Sequence, residues 1–145
     1  MAEPIIRQAT PADAPGLVPL LEALGYPADS ETIRQRLESL LIEDPDGRVL
    51  LAVVGASPVG FVSLHATPVL HRPMPVGRIT ALAVAPGQHG SGIGRRLVEA
   101  AERYFAERGW PRVEVTSGPR HAPAHAFYRR LGYADDGVRF VKTLP

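Results

Sequence analysis

One stretch of the sequence joins a buried-strand pattern to a glycine-rich turn and then to an amphipathic helix. Residues 77–85 read GRITALAVA, an almost continuous apolar run that is typical of a central strand. The glycine-rich segment 87–94 (GQHGSGIG) follows at once. Apolar residues then recur at helical spacing up to a stop at Gly109: Ile93, Leu97, Val98, Ala101, Tyr104 and Phe105. This pattern predicts an α/β protein in which a central strand leads directly into a helix N-terminus.

The glycine-rich segment predicts an anion-binding site. Glycines let the backbone come close to a ligand and adopt conformations that other residues resist. The first turn of the following helix directs N–H groups into the same space, and with the helix dipole they favour a phosphate. We therefore expect a pyrophosphate cradle from about His89 to Arg95, with Arg96 adding positive charge nearby.

The Walker phosphate loop does not fit this segment. That loop needs Gly-x-x-x-x-Gly-Lys-Ser/Thr. Gly87 and Gly92 have the required spacing, but Ile93 and Gly94 stand where the lysine and the hydroxyl should be. A glycine-rich turn that binds no ligand stays open as an alternative, since a lone Gly-x-Gly carries little information.

The dinucleotide fingerprint Gly-x-Gly-x-x-Gly also fails on spacing. Counted from Gly90 or Gly92, its last glycine would fall on Arg95 or Leu97. One feature favours it, because Glu114 lies 20 residues beyond Gly94, near where a ribose-binding acid would be expected. A nicotinamide-nucleotide protein is therefore a minor alternative.

A second motif lies one predicted helix and one predicted strand further on. Residues 121–133 read HAPAHAFYRRLGY and resemble the Ala-x-x-Phe-Tyr-x-x-x-Gly-Phe/Tyr helix of the GNAT (general N-acetyltransferase) superfamily. The glycine-rich segment resembles the coenzyme A motif of the same superfamily, Arg/Gln-x-x-Gly-x-Gly/Ala. Gly92 and Gly94 match its two small residues, and His89 departs from it at the Arg/Gln position. Both motifs in this order make the resemblance specific, and it covers the whole chain.

The predicted elements follow in the order β-α-α-β-β-β-α-β-α-β. Besides the strand and helix above, we expect strands at 4–9, 48–54, 59–66, 113–116 and 138–144, a tight turn at 55–58 and a loop at 67–76. Helices are expected from the Thr10-Pro11 cap to Gly25, from Asp29 or Ser30 through Leu41, and over 123–131. We predict one N-acetyltransferase domain over 1–145 with a mixed α/β (α+β) sheet, and the resemblance implies central strands splayed around a cofactor.

The resemblance also implies a function, the transfer of an acetyl group from acetyl-CoA to an amine. Strand 77–85 would pair with the pantetheine arm, and strand 113–116 would diverge from it to open a slot for the thioester. Tyr128 would act as general acid toward the departing thiolate, for which a phenol is suited. The implied cofactor-binding residues are Leu82, Ala83, Val84, His89, Gly90, Ser91, Gly92, Ile93, Gly94, Arg95 and Phe127. Alternatively, Phe127 and Tyr128 are core aromatics only.

The general base is not evident from the sequence. Many members of the superfamily carry a glutamate about where Thr80 and Ala81 stand here, and neither of these side chains is a base. The other candidates, each more easily explained as a structural or surface residue, are Glu22, Asp29, His65, His71 and Glu114. A water relay without a dedicated base is equally compatible with the resemblance.

The amine acceptor is expected to bind between residues 21–31 and 67–76. There Tyr26 could line the slot and Glu22 or Asp29 could attract a cationic amine. The alternative is that residues 24–27 (LGYP) form only a helix end. The acceptor is predicted to be a primary amine of a small molecule or a peptide.

Metal binding is not expected. His121 and His125 have the spacing of two ligands on one helix face, but His121 precedes Pro123 and so is predicted to lie outside the helix. No acidic third ligand is close in sequence.

Composition excludes several classes of protein. The 16 basic and 15 acidic side chains give a formal charge of +1, which argues against a nucleic-acid binder. There is no cysteine for a disulfide framework, and no apolar run approaches the roughly 20 residues of a membrane span. We expect a cytoplasmic enzyme without a secretion signal, and a homodimer because the last strands offer an edge for pairing. A non-catalytic acyl-CoA-binding regulatory module is the alternative.

Overall fold

A five-stranded mixed sheet with helices on both faces forms the core of the computed structural model, which describes residues 3–116 and 122–145. The strands are β1 Ile5–Gln8, β2 Arg48–Val54, β3 Ser57–Thr67, β4 Val76–Val84 and β5 Val113–Val115. The helices are α1 Ala14–Leu24, α2 Ser30–Glu43, α3 Ile93–Glu107 and α4 Ala122–Arg130. The sheet order is β1-β2-β3-β4-β5, with antiparallel pairs up to β4 and a parallel β4–β5 pair.

The ends of α1 and α2 follow the predicted capping residues closely. A single 3-10 turn, Pro11–Asp13, precedes α1, and the carboxylate of Asp13 accepts a hydrogen bond from the Thr10 N–H at 2.8 Å. Gly25 ends α1 in the left-handed conformation (φ 97°), as its position predicted. Asp29 is the N-cap of α2, where its side chain accepts from the Thr32 N–H at 2.7 Å.

Two hydrophobic layers lie on opposite faces of the sheet. On one face α3 packs its buried Leu97, Val98 and Phe105 against Val62 and Leu64 of β3. On the other face α1 and α2 cover a second layer, whose fully or nearly fully buried members include Leu17, Leu20, Ile33, Leu37, Leu51 and Phe61. The sheet is therefore covered on both sides, and its central strands are positioned between two packed layers.

Strands β4 and β5 separate from one another soon after they pair. Their parallel ladder runs only from Gly77–Val113 to Ile79–Val115. On the other side of β4, the register with β3 shifts between Ser63 and Leu64, which leaves Thr80 as the extra residue of a bulge. Among the described residues, the edge of β4 at 80–84 therefore has no partner on the β5 side, which agrees with the predicted splaying, and we refer to this open edge as the slot.

The predicted last strand, residues 138–144, is wrong for this structure. Residues 134–145 have no regular secondary structure, and Val138, Phe140 and Leu144 are largely exposed. The alternating apolar pattern suits a strand, but a strand forms only where its backbone groups pair with a neighbour. In the part of the chain that is described, the segment makes no such pairing.

None of the helices within 3–116 and 122–145 combines the length and the hydropathy that crossing a bilayer requires.

Candidate active site

The loop before α3 depends on glycine at two positions. Gly90 and Gly92 adopt φ values of 82° and 84°, in the left-handed region that residues with a Cβ rarely occupy. Gly92 is also the N-cap of α3. The glycine spacing in the sequence therefore reflects a backbone requirement at the entrance to the helix.

The N-terminus of α3 offers donor groups at this loop. The Arg96 N–H makes an early helical bond, to the Gly92 carbonyl at 3.1 Å. The N–H groups of Ile93, Gly94 and Arg95 precede it and have no carbonyl four residues back within the helix. Together with the positive end of the helix dipole, these amides are suited to an anion, and the pyrophosphate cradle stays a prediction.

The rest of the cradle is shaped by a tight turn. The Gln88 carbonyl accepts hydrogen bonds from the Ser91 N–H at 3.2 Å and from the Ser91 hydroxyl. The Gln88 N–H in turn donates to the Ala85 carbonyl at 2.8 Å. His89, which follows Gln88, has an extended backbone and an exposed side chain. The Ser91 hydroxyl is thus used in a hydrogen bond within the loop. The groups of this segment that are left to contact an anion are chiefly backbone amides.

Two arginines flank the cradle and are held by acidic side chains. Arg95 pairs with Glu99 at 3.0 Å, one turn further along α3. Arg96 pairs with Glu3 at 3.2 Å and reaches the Pro4 carbonyl. Exposed pairs of this kind are weak, so both guanidinium groups can exchange their partners for a phosphate.

Phe127 of α4 lies directly against the first turn of α3. A Cβ atom built on Gly94 would be 3.3 Å from the Phe127 Cζ and 3.6 Å from a methyl carbon of Val84. Gly94 therefore brings the helix start, the end of β4 and the aromatic ring of α4 together. Three of the predicted cofactor-binding residues meet at this point.

Tyr128 follows Phe127 and is packed between two aromatic rings. Its ring lies edge-to-face with Phe127 at 5.2 Å and with Tyr133 at 5.7 Å between centroids. Burial raises the pKa of the Tyr128 hydroxyl to about 12. The phenol therefore keeps its proton at neutral pH, as a general acid must.

Tyr133 is a neighbour of Tyr128 that the sequence analysis did not single out. Its hydroxyl donates to Glu102 of α3 at 2.7 Å, and its N–H donates to the Tyr128 carbonyl at 3.0 Å. Burial, aided by the Glu102 carboxylate, raises the Tyr133 pKa strongly. Tyr133 fixes the end of α4 against α3. The Gly-Phe/Tyr position at the end of the second motif is the signal that could have identified it.

The end of β4 lines the slot where it diverges from β5. Leu82 and Val84 are half-buried and contact the layer under α3, whereas Ala83 is buried in the layer under α1 and α2. Since the ladder with β5 ends at Ile79, the peptide groups of these three residues on that side face the slot rather than a described strand. This is the arrangement expected of a strand that pairs with an extended ligand.

His65 is the base candidate with the most defined surroundings. Its Nδ1 is 2.5 Å from an Asp44 carboxylate oxygen, and its Nε2 is 3.2 Å from the Ser63 hydroxyl. The imidazole therefore links the end of α2 to β3. A small cavity of about 20 Å³ beside His65 and Asp44 has room for little more than one water.

The remaining base candidates have more ordinary surroundings. Glu114 is bonded to Arg112 at 2.7 Å, and Asp29 caps α2. Glu22 and His71 are exposed. The Thr80 hydroxyl donates to the Ser63 carbonyl at 3.3 Å.

The expected acceptor residues lie at the end of α1. Tyr26 is 71% exposed, and its N–H caps the helix by donating to the Leu21 carbonyl. Glu22 lies on an exposed face of the same helix. Residues 24–27 therefore do form a helix end, and a role in acceptor binding stays a prediction.

Within 3–116 and 122–145, no group of three His, Cys, Asp or Glu side chains could hold a metal ion. His121 lies outside the described residues, whereas His125 is on α4.

A large cavity borders the site on the side of β5 and α4. It measures about 1350 Å³ and is lined by the C-terminal end of α3, by β5, by α4 with Tyr128, and by residues 131–139. No pattern in the sequence predicted this space.

Comparisons with known proteins agree with this geometry. Residues 17–133 match the model of the acetyltransferase (GNAT) family. The chain is 32% identical over 140 residues to the aminoalkylphosphonate N-acetyltransferase of Salmonella typhimurium, covering 96% of this chain and 90% of that protein. It is 32% identical over 136 residues to the aminoglycoside N(6')-acetyltransferase type 1 of Stenotrophomonas maltophilia, covering 91% and 87%. The fold matches an aminoglycoside N-acetyltransferase solved in complex with CoA, with a TM-score of 0.85, 16% identity and coverage of 99% and 96%.

Proposed function

The chain belongs to the acetyltransferase (GNAT) family, and on that premise we propose that it transfers an acetyl group from acetyl-CoA to a primary amine of a small molecule. The observation that carries the proposal is that the start of α3, the end of β4 and the Phe127 ring meet at Gly94. A diphosphate would bind at the amides of residues 93–95, and the pantetheine arm would extend along Leu82, Ala83 and Val84. His89, Gly90, Ser91 and Phe127 would complete the walls.

Tyr128 is proposed as the general acid. The amine nitrogen attacks the thioester carbonyl carbon in a ternary complex, and the carbon–sulfur bond then breaks as the amide forms. Tyr128 donates its phenolic proton to the departing thiolate, while the proton lost by the amine passes to water. The pKa of Tyr128, raised by burial to about 12, means that the hydroxyl carries its proton before each turnover.

The fixed geometry of the site supports a reaction without a covalent enzyme intermediate. Tyr128 is held between Phe127 and Tyr133, and Tyr133 is itself bonded to Glu102. Such packing places a proton donor without further ordering during the reaction. The chain has no cysteine that could serve as an acyl carrier.

The first experiment is calorimetric titration of the purified protein with acetyl-CoA, using Gly92→Glu and Gly109→Glu as a matched pair. Gly92 and Gly109 stand at opposite ends of α3, both have positive φ, and a Cβ atom at either would meet nothing within 4 Å. The two variants therefore carry similar backbone strain. We expect saturable binding that Gly92→Glu abolishes and Gly109→Glu retains. If the wild-type protein did not bind acetyl-CoA, or if both variants lost binding equally, the proposed diphosphate site at the start of α3 would be contradicted.

The acceptor is proposed to be a small amine, tested as a panel. The relatives named above suggest aminoalkylphosphonates and aminoglycosides as the first members, with a peptide amine as a third class. Release of CoA thiol is the readout. Tight acetyl-CoA binding without turnover on any amine would favour the alternative, a non-catalytic acyl-CoA-binding module.

Other parts of the sequence analysis stay proposals of the same kind. We propose that residues 1–145 form a single N-acetyltransferase domain, with Glu22 and Tyr26 near the acceptor. A cytoplasmic location is proposed from the sequence, and cell fractionation tests it. A nucleic-acid partner is not proposed, because the formal charge is only +1.

A further inference from the structure

Three polar side chains, Ser63, His65 and Asp44, are joined by hydrogen bonds at a distance from Tyr128 in the sequence. We propose that they form a relay that takes up the proton of the acceptor amine. The amine gives its proton to a water, the water gives one to the Ser63 oxygen, and the Ser63 hydroxyl proton passes to Nε2 of His65. This inference rests on the proposed acetyl transfer and adds to it the groups that accept the proton.

The hydrogen bonds of the relay determine which nitrogen of His65 can accept a proton. Its Nδ1 is 2.5 Å from a carboxylate oxygen of Asp44. Since a carboxylate accepts hydrogen bonds and does not donate them, Nδ1 carries the proton and Nε2 presents its lone pair. The Ser63 hydroxyl, 3.2 Å from Nε2, therefore donates to it. The Ser63 oxygen keeps a lone pair that can accept a hydrogen bond from a water.

The relay lies on the face of the sheet where the acceptor is expected. Phe61 of β3 belongs to the hydrophobic layer under α1 and α2, whereas Val62 and Leu64 belong to the layer under α3. Successive side chains of a strand point to opposite faces, so Ser63 and His65 share the face of Phe61. The connection between α1 and α2, which is part of the expected acceptor region, is on this same face.

Ser63 lies beside the start of the open edge of β4. It is paired with Ala81, and its carbonyl accepts a hydrogen bond from the Thr80 hydroxyl at 3.3 Å. The ladder between β4 and β5 ends at Ile79, immediately before these two residues. Neighbouring strands are about 4.8 Å apart, so one water can connect the Ser63 oxygen with an amine that lies over Ala81.

The relay can release the proton to solvent after each turnover. The side chains of His65 and Asp44 are 24% and 26% exposed, and the cavity of about 20 Å³ beside them has room for a single water. Asp44 stabilises the imidazolium without taking its proton. One proton leaves the amine and one reaches solvent, and Ser63 regains its hydroxyl proton from the water.

The first test replaces His65 by Gln, which keeps hydrogen-bonding groups but cannot take up the proton. The probe is the best substrate of the amine panel, compared with its analogue that carries two fluorine atoms on the carbon next to the amine-bearing carbon. Fluorine lowers the pKa of the amine, so that acetylation of the analogue depends less on a base. We expect His65→Gln to lower kcat/KM about 10²-fold for the parent amine and less than about tenfold for the analogue.

Equal losses of kcat/KM for the two amines would overturn the relay, because a purely structural role of His65 does not depend on the pKa of the acceptor. Unchanged kcat/KM for the parent amine would overturn it as well. Neither result would affect the proposed acetyl transfer, which the wild-type turnover reports. If the wild type bound acetyl-CoA but acetylated no amine of the panel, the acetyl transfer and the relay would both be contradicted.

A second test interrupts the relay at its hydroxyl and leaves the contact between His65 and Asp44 in place. Ser63→Ala should show the same dependence on the acceptor as His65→Gln. The double variant should lose no more kcat/KM than His65→Gln alone, because both substitutions block one path. Additive losses would contradict a shared path.

The charge of Asp44 is tested against a neighbouring carboxylate. Asp44→Asn keeps an oxygen that accepts from Nδ1 but removes the charge that stabilises the imidazolium, and should lower kcat/KM roughly tenfold for the parent amine. Asp46→Asn is the matched control, since Asp46 is in the same turn, is exposed and pairs with Arg108 at 3.2 Å. It should keep the wild-type kcat/KM. Equal losses in the two variants would contradict the role of Asp44.

Acetylation of Ser63 itself is the alternative chemistry for these three groups, because a hydroxyl, an imidazole and a carboxylate in a row can also activate a nucleophile. The protein is incubated with acetyl-CoA alone, and its intact mass is measured. We expect the mass to stay unchanged. An acetyl group on Ser63 that an added amine removes would overturn the relay in favour of a covalent intermediate.

Discussion

The Phe127 ring lies so close to Gly94 that a Cβ atom there would be only 3.3 Å from its Cζ. The contact joins the two sequence motifs, since Gly94 belongs to the glycine-rich loop and Phe127 to the aromatic helix. It also determines how near α4 approaches the start of α3. The width of the slot beside Val84 depends on this approach.

Gly94→Ala is expected to weaken acetyl-CoA binding by about tenfold. The added methyl must displace the Phe127 ring, because a Cβ contact of this length is tighter than ordinary packing. Calorimetry measures the affinity. Gly87→Ala is the matched control, since a Cβ atom there would meet nothing within 4 Å, and its affinity should match the wild type. Equal losses of affinity in the two variants would show that the Gly94–Phe127 contact does not determine the affinity for acetyl-CoA.

Replacing Tyr128 by Phe should lower kcat roughly 10²-fold or more and leave the affinity for acetyl-CoA unchanged. The substitution removes the proton donor but keeps the ring that packs between Phe127 and Tyr133. Steady-state kinetics and calorimetry give the two quantities. Tyr133→Phe is the control, because it also removes one buried hydroxyl, the one bonded to Glu102. It should cost about 1 kcal/mol of unfolding free energy while kcat changes little.

The pH dependence of kcat should show no loss attributable to Tyr128 in the alkaline range. Burial raises the Tyr128 pKa to about 12, so the hydroxyl stays protonated and able to act as an acid up to about pH 11. Initial rates at saturating substrates between about pH 6 and about pH 10 measure this profile. A fall with a midpoint at about pH 9, absent in Tyr128→Phe, would contradict the raised pKa, although it would still assign the titrating proton to Tyr128.

Much of the fold could be predicted because its signals are local. The capping role of Asp29 and the stop at Gly25 were confirmed, and β2 has the predicted bounds. These features depend on neighbouring residues, since a cap or a helix stop acts within one turn. The glycine loop was predictable for the same reason.

The conformation of residues 138–144 and the surroundings of the base candidates were not predictable, because both depend on contacts distant in sequence. Residues 138–144 have the pattern of a strand, yet pairing is a property of the neighbour and not of the segment. His65 was one candidate among several, and no local pattern indicated that Asp44, 21 residues away, would bond to it. Tyr133 was overlooked because its partner Glu102 is 31 residues distant.

Asp13→Asn should lower the free energy of unfolding by about 1 kcal/mol at neutral pH. Arg7 donates two hydrogen bonds to the Asp13 carboxylate and lowers its pKa to about 2. A depressed pKa in the folded state contributes stability above the unfolded pKa of about 3.9, and this contribution is lost as the pH falls through about 2. The free energies of unfolding of wild type and variant, measured by urea denaturation, should therefore differ at pH 7 and become similar at about pH 2. Glu99→Gln, which breaks only an exposed pair with Arg95, should change stability by less than about 0.5 kcal/mol.

Gly77→Ala is expected to destabilise the fold by about 2 kcal/mol. A Cβ atom at Gly77 would lie 2.7 Å from ring carbons of Phe105, whose side chain is fully buried. Gly77 also begins the short β4–β5 ladder opposite Val113, and its N–H donates to the Arg112 carbonyl at 2.9 Å. The strain should therefore shift β5 and weaken acetyl-CoA binding as well. The midpoint of urea denaturation tests the first effect and calorimetry the second, with Gly87→Ala as the unstrained comparison. Weakened binding with unchanged stability would mean that β5 is displaced more easily than the core. Unchanged stability and unchanged binding would show that Phe105 does not restrain this end of the slot.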